Sequence, residues 1–544
     1  MSKLFFISYK PLLFTISILI SVLLSIYEIF VAFELSNFLN NINVGINTTI
    51  AAYIVMLILF KIMLNLSATY ISNIWAYKTR AEISGEVYET YQIKRGLAET
   101  NIKFNRYSDS LLNTDLYSFS SLFLLPTIHL ISDFIILSSF SVVLYFILPI
   151  EIIFIIMIGV TTYLSIFILV LKLTSKLGSN RKIIENKRSD MVSAWLKMNL
   201  DLISLNWITA SKEKFYHLFK KIGDIEAFQT ATQSSLRVFF EIFLLVIICT
   251  IFTLSSNEKI NIGVTDIGVL VFLSLKILPT YNRIIYSINS ITYSKPIYKS
   301  IRDILYENKH TINTKLKWNK EIVTSVNRIA FNNLELFFQN SNLSKKQVFT
   351  NLSFEVIRNK INVIYGESGV GKSTLLKCLA GYNSNFSGYC SSLEFINQEY
   401  KHCYVSSESY YFQGTLFENL FFDNLKPSQD QLKLAENLLF QTKLLDELGA
   451  NLHKINLCPF GKNGIQLSSG QIERLALVRA LLTESDIYYL DEPTSNLDKL
   501  TAILIFNLIK KLSNEYTFII STHDKFFINN SENLIEIKND QKTN

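Results

Sequence analysis

Six long apolar runs punctuate the first half of the chain, at about 11–33, 50–70, 122–148, 150–171, 236–255 and 263–285. Each is close to the ~20 residues that a helix needs to cross the hydrocarbon core of a bilayer. The first run follows Lys3 and Lys10, is longer than the core of a signal peptide and lacks a small-residue cleavage site, so it predicts a retained membrane helix. The second is interrupted by Lys61 and continues as a polar helical pattern to about Leu97. Leu148-Pro149-Ile150-Glu151 predicts the turn between the third and fourth spans. From about Asn327 the pattern changes to short apolar runs alternating with helical periodicity, as in a parallel-sheet α/β domain. The polar, lysine-rich stretch near 306–325 predicts a linker between the two parts.

Charge fixes the orientation of the spans. No Lys or Arg occurs between Arg106 and Lys172, which predicts a hairpin whose tip faces away from the cytoplasm. Basic residues cluster instead at Lys78, Arg80, Lys94, Arg95, Lys103 and Arg106, and again from Lys172 to Lys221. Six spans then return the chain to the basic side, as the positive-inside rule requires. This distribution assigns the formal charge of +7 to cytoplasmic loops and excludes a nucleic-acid partner. The 544 residues are too many for a single core. With a mean hydropathy of +0.27, the composition is too apolar for a wholly soluble protein. The five cysteines, Cys249, Cys378, Cys390, Cys403 and Cys458, include no C-x-x-C pair, so neither zinc nor a disulfide framework is expected.

The candidate chemistry lies in the second half. Gly366-Glu367-Ser368-Gly369-Val370-Gly371-Lys372-Ser373-Thr374 follows the apolar run Ile361–Tyr365 and precedes a helical pattern. Strand, glycine loop and helix in that order make the spacing G-x-x-x-x-G-K-[ST] a phosphate site. Glycines let backbone N–H groups converge on phosphate oxygens, and the helix N-terminus adds its positive end. Lys372 is then expected on the outer phosphates of ATP and Ser373 on Mg²⁺. About a hundred residues on, the apolar run Ile487–Leu490 ends in Asp491-Glu492. Asp491 suits the Mg²⁺ side of the nucleotide, and Glu492 suits a base that polarises the attacking water.

Leu467-Ser468-Ser469-Gly470-Gln471 resembles the signature pentad L-S-G-G-Q of the ATP-binding cassette (ABC) family, with Ser469 in place of the first glycine. The resemblance extends to Ser495-Asn496-Leu497-Asp498 as the D-loop, His523 as the switch histidine and Phe338, with Phe337 beside it, as the ring that stacks on adenine. Two positions depart from the family pattern. Ser407 stands in Tyr404-Val405-Ser406-Ser407-Glu408 where a glutamine is expected, and Lys462 stands where exporters carry an acidic residue before the signature. Glu408 is the alternative candidate for the glutamine's role. In this family the glycine loop of one subunit and Ser468–Gln471 of another sandwich ATP. The resemblance therefore implies a homodimer, with Glu492 and His523 catalytic and Asp498 at the nucleotide.

The fold that the resemblance implies is a membrane α-helical bundle of six transmembrane helices, like a type I ABC exporter, fused to an α/β P-loop ABC ATPase. The membrane domain covers 1–305, the linker 306–325 and the nucleotide-binding domain 326–544. Asn101–Asn113 and Asp201–Thr209 resemble the loops that couple the two domains. Multi-pass insertion in a bacterial inner membrane with the ATPase in the cytoplasm follows, with membrane lipids as neighbours. Leu278-Pro279-Thr280-Tyr281-Asn282-Arg283-Ile284, Glu28, Arg237 and Glu241 look like features of lipid-linked oligosaccharide flippases, which implies an amphipathic substrate. No peptidase domain precedes the first span, which disfavours a processing bacteriocin exporter. A peptide exporter without such a domain remains the alternative, as does a non-transporting membrane ATPase that serves as a sensor. Charged residues inside spans are paired or functional. Arg237 and Glu241 sit one turn apart, and Glu28 and Lys61 can pair; Lys276 and Arg283 show no partner within the sixth span. Lys61, Lys276 and Arg283 are therefore the candidate groups for an anionic cargo.

Overall fold

The apolar runs belong to long helices, most of them longer than a bilayer requires. In a computed structural model of the chain these are α1 (Pro11–Asn40), α2 (Thr48–Ala98), α3 (Leu125–Ile147), α4 (Ile150–Lys197), α6 (Ile208–Ser256) and α7 (Val264–Thr311), with the short α5 (Asn199–Ser204) between α4 and α6. The structure describes residues 5–40, 48–98, 111–147, 150–256, 264–311, 318–320, 327–339, 345–382, 386–392, 395, 400–422, 427–448, 460–461 and 464–538. At 51 residues, α2 is about 75 Å long at ~1.5 Å per residue, more than twice the hydrocarbon thickness. Among the described residues, Pro11–Val31, Val55–Gln92 and Leu116–Ser141 are long and apolar enough to cross a membrane. The expected turn at Leu148-Pro149, the stretch Asn101–Ser110 and Lys462 lie outside the described residues, as do the side chains of Phe337, Phe338 and Lys276.

The chain divides into two compact units, Met1–Gln92 with Arg106–Lys309 and Ile93–Asn105 with His310–Asn544. In the helical unit, Phe6, Phe14, Trp75, Ile83, Phe119, Phe123 and Ile301 form one buried cluster, and Phe167, Leu236, Phe240 and Ile285 form another. Two π-helical stretches, Leu111–Asp115 and Ser120–Leu124, lead into α3. Such wide turns free backbone carbonyls. Here Ser294 of α7 donates to the Leu122 carbonyl at 3.0 Å, so one α3-side acceptor is satisfied from another helix. The tip between α4 and α6 leaves Leu200, Ile203, Leu205 and Trp207 exposed.

Three ion pairs involve charged groups of the spans among the described residues. Lys61 meets Glu28 at 2.6 Å, and Arg237 meets Glu241 at 2.8 Å. Arg283 departs from the sequence reading, which found it no partner within its own span. Its Nη2 lies 2.6 Å from Oδ1 of Asp133, which comes from α3 and is buried. The partner is 150 residues away, which is why a search along one helix misses it.

Among the described residues, the second unit forms two sheets. One is four-stranded in the order β1 (Trp318–Lys320), β5 (Phe386–Cys390), β2 (Arg328–Gln339), β3 (Lys345–Ile357). The other is parallel throughout, in the order β6 (His402–Val405), β7 (Ile487–Asp491), β8 (Thr517–Ser521), β4 (Ile361–Gly366), β9 (Asn533–Ile537). The stretch read as a linker is therefore partly structured. α7 runs on to Thr311, and β1 pairs in parallel with Gly388–Cys390.

Alternation along the central strands builds both faces of the parallel sheet. Ile361, Val363, Tyr488, Leu490, Phe518 and Ile520 face one core with α10 (Gln429–Gln441), α12 (Ser469–Leu481) and α13 (Lys499–Leu512). Ile364, Ile487, Tyr489 and Ile519 face the other with α8 (Lys372–Leu379) and the four-stranded sheet. The remaining helices are α9 (Leu416–Leu420), α11 (Leu444–Glu447) and α14 (Lys525–Asn530). Asn362, the fully buried polar residue in β4, donates to the carbonyls of Ile357, Lys360 and Phe518 and accepts from Ile357 N–H, so its burial is compensated.

Close approach of α4 to α7 supplies a stability test for the helical unit. A Cβ on Gly178 would lie 2.1 Å from the Tyr293 carbonyl oxygen. Gly178→Leu is expected to destabilise by about 1–3 kcal/mol, because a close-packed backbone contact has no room to yield. A thermal melt in detergent should show a lowered midpoint; an unchanged midpoint contradicts this packing.

Candidate nucleotide site

The site gathers at the carboxyl ends of β4, β7 and β8, where a parallel sheet leaves its strand ends open for ligands. β4 runs into the glycine loop. Gly366, Gly369 and Gly371 have φ of +155°, +76° and +111°, values that side chains resist. Gly366 has a second reason to lack a side chain, since a Cβ would lie 2.4 Å from the Ile537 carbonyl oxygen. Gly371 caps α8, so the loop's backbone and the helix N-terminus face the same space. Glu367, Ser368 and Gly369 are exposed there, and Thr374 is half-buried in the first turn of α8.

Lys372 folds back over this loop. Its Nζ donates to the carbonyls of Gly366 and Glu367, both at 3.1 Å, and approaches His523 Nε2 at 2.7 Å. Which of the two nitrogens donates in this contact depends on the imidazole tautomer. Burial lowers the Lys372 pKa, while Glu492 and Asp491 oppose that shift.

Asp491, the last residue of β7, accepts from Ser373 Oγ of α8 at 2.9 Å and from Ser521 Oγ of β8 in a short contact. Tyr404 of β6 donates to its other oxygen at 3.3 Å. Glu492 follows with φ +50°, a left-handed conformation that is rare for a glutamate and concentrated at functional sites. It is held by its own N–H to the Ser521 carbonyl at 2.9 Å, and its carboxylate accepts from the His523 N–H at 3.4 Å. Burial raises the Glu492 pKa, and His523 and Lys372 partly offset that effect.

This donor set fits a magnesium nucleotide. An ammonium and a helix N-terminus face the glycine loop, and a hydroxyl and a carboxylate already share a hydrogen bond where hard oxygen ligands are needed. Lys372 would hold the phosphates and Ser373 with Asp491 the Mg²⁺, which when bound neutralises charge on the phosphate oxygens. Glu492 is then the carboxylate left to orient a water.

The signature residues form a separate cluster. Ser468 caps α12 by accepting from Gln471 N–H at 3.3 Å, and Gln471 Oε1 accepts from Ser468 N–H at 3.0 Å. Gln471 Nε2 donates to Glu447 at 3.1 Å, and the same carboxylate pairs with the buried Arg474. Ser469 is exposed, whereas Gly470 is buried with the Asn496 carbonyl oxygen 2.8 Å from where a Cβ would stand. The pentad therefore tolerates serine at its first glycine and not at its second. Asp498 caps α13 through Leu500 N–H and Thr501 N–H, so its carboxylate is engaged with its own helix.

Glu473 was not anticipated from the sequence. Buried in α12, it accepts from Ser495 Oγ at 2.7 Å and from the backbone and side chain of Asn496. The available signal was an acidic residue at a position that helical periodicity places toward the core. The backbone of Phe338 pairs with Lys346 in the β2–β3 hairpin. Ser407 is exposed and makes no side-chain hydrogen bond among the described residues, and Glu408 accepts from the Tyr410 hydroxyl at 3.3 Å.

Residues 349–495 match the ABC transporter family. The chain is 30% identical over 205 residues to an uncharacterized ABC transporter ATP-binding protein of Haemophilus influenzae, covering 36% of each. It is 26% identical over 395 residues to ABC transporter C family member 7 of Dictyostelium discoideum, covering 65% of this chain and 28% of that protein. The chain thus spans about a third of the length of these curated relatives. Its fold is similar to that of a bacterial Atm1-family ABC exporter solved with ATP bound, with a TM-score of 0.72 at 13% identity over 99% of this chain and 95% of the other. At that identity the likeness is one of fold.

Because burial holds the Glu492 carboxyl above its ordinary pKa, a base at this position ionises later than a free glutamate. ATP turnover should therefore fall on acidification with a midpoint higher than a free glutamate would give. Glu492→Gln should keep ATP binding and lose turnover, on the order of a hundredfold or more for a lost general base. Lys372→Ala should instead weaken nucleotide binding. Turnover assays and equilibrium binding on the purified variants check both; wild-type turnover in Glu492→Gln rejects the assignment.

Proposed function

We propose that this chain, whose second unit carries the ATPase domain of the ABC transporter family, is one subunit of a homodimeric ATP-driven exporter or flippase in a bacterial inner membrane. The observation that carries the reading is the convergence of Lys372, Ser373, Asp491, Glu492 and His523 at one end of the parallel sheet, in a chain whose other half is a bundle of long apolar helices. Two copies would complete each other's sites, Gly366–Thr374 with Phe338 and Asp498 on one side and Ser468–Gln471 on the other. ATP and Mg²⁺ would bind between them, with His523 and Glu492 serving hydrolysis.

The cargo proposed is amphipathic: a lipid-linked oligosaccharide or another lipid. Pairing narrows the case for an anionic head. Lys61 is neutralised by Glu28, and Asp133 faces one edge of Arg283, whose side chain nevertheless remains 53% exposed. Arg283 can offer its outer edge to a phosphate while Asp133 orients it, the bidentate geometry that favours arginine over lysine. Lys276 is the second candidate on the same helix. A peptide cargo is the competing reading for the same machinery.

Reconstitution in proteoliposomes tests the function. ATP should drive movement of a labelled anionic lipid from one leaflet to the other, and Arg283→Ala should lower transport severalfold while basal hydrolysis persists. Arg283→Lys should recover part of the loss. ATP hydrolysis with no movement of lipid or peptide would instead favour a non-transporting sensor.

A further inference from the structure

The glutamine that the family resemblance leads one to expect in the switch loop is replaced by Ser407, and Ser407 does not reach the site. It is exposed, and it makes no side-chain hydrogen bond among the described residues. Glu408, the other candidate in the loop, accepts from the Tyr410 hydroxyl two residues on. The group that does reach Asp491 from this side of the sheet comes earlier in the same segment. Tyr404 lies in β6, the strand that flanks β7, in register with Tyr489 and two positions before the end of the aspartate's strand. Its hydroxyl donates to Asp491 Oδ2 at 3.3 Å.

The other oxygen of Asp491 is already occupied. Ser373 donates to Oδ1 from α8 and Ser521 donates to the same atom from β8. Among the described residues, Tyr404 is the hydrogen-bond donor to Oδ2. The tyrosine ring is itself held: it is half-buried and packs edge-on against Tyr382, 5.6 Å between ring centres.

We propose that Tyr404 is a positioning residue for the magnesium aspartate, its hydroxyl fixing Asp491 from the side where the missing glutamine amide would have acted. The inference rests on the reading of this centre as a magnesium–nucleotide site. A phenol on a strand is more rigidly placed than an amide on a loop, because its reach is set by β6–β7 pairing. The substitution at Ser407 thus removes a mobile group, and the aspartate keeps a fixed one.

The test uses the full-length dimer in detergent, with Mn²⁺ as the probe and Glu492→Gln as the background so that no turnover occurs. Electron paramagnetic resonance should show Mn²⁺ binding that depends on ATP. Tyr404→Phe keeps the ring against Tyr382 and removes only the hydroxyl. It should weaken ATP-dependent Mn²⁺ binding about tenfold, the change expected when one hydrogen bond to a charged group is lost. ATP binding in EDTA should not change. Adding Ser407→Gln to Tyr404→Phe should restore most of the metal affinity. Equal Mn²⁺ affinity with and without the hydroxyl overturns the inference, as does a double variant with no recovery. Loss of metal-free ATP binding in Tyr404→Phe would make the residue merely structural and also overturns it. No ATP-dependent Mn²⁺ binding in the background protein would reject the reading of the site itself.

Discussion

The carboxylate of Asp491 is the point on which the ATPase unit depends. It ends β7, and hydroxyls converge on it from α8, β8 and β6. Each donor sits on a different element, so the bond set can form only if the parallel sheet has the order β6-β7-β8-β4-β9 and the glycine loop leads directly into α8. An aspartate in such a place costs free energy unless hydrogen-bonded, and the same bonds that compensate its burial prepare it for a hard cation. Fold and site are thus one constraint seen at two scales. The strand pairing sets which side chains face the carboxylate, and the carboxylate's need for donors rewards that pairing.

Around this centre the remaining groups are held rather than free. Lys372 lies against its own loop carbonyls and His523. Glu492 occupies a left-handed backbone conformation secured by Ser521 and Ser495, and a conformation of this kind persists only where its surroundings over-determine it. On the opposite flank Glu473 ties Ser495 and Asn496 to α12, and Gly470 lets the two segments touch. The signature helix and the segment Ser495–Asn496 are therefore tied to each other. A change at either reaches the other through a buried carboxylate and a backbone contact.

Much of this was legible in the sequence, for reasons of period and spacing. Apolar runs of bilayer length mark helices, and α2 follows the predicted span and polar extension closely. Local motifs point to Lys372, Ser373, Asp491 and Glu492 and the family resemblance points to His523, and the five lie together in the structure. What escaped depends on contacts between distant segments. Arg283 looked unpartnered because a helix-face search cannot see Asp133 on another helix. Trp318–Lys320 read as linker because three polar-flanked residues carry no strand signal until β5 is there to pair with them. Glu473 and Tyr404 belong to none of the motifs. Their roles arise from which elements lie side by side. Ser469 shows the converse, a departure from a motif that becomes harmless once its exposure is known.

The proposed exporter requires two copies of this chain to close around ATP, glycine loop against signature. Ser469 and Glu367 are both exposed and belong to the two surfaces that would meet. Cysteines placed at both positions, in a Glu492→Gln background that holds nucleotide, measure that closure by disulfide formation between subunits. The account predicts a cross-linked dimer that accumulates with ATP and Mg²⁺ and is absent without nucleotide. Cross-linking that is indifferent to ATP, or that never forms while ATP is bound, would contradict it.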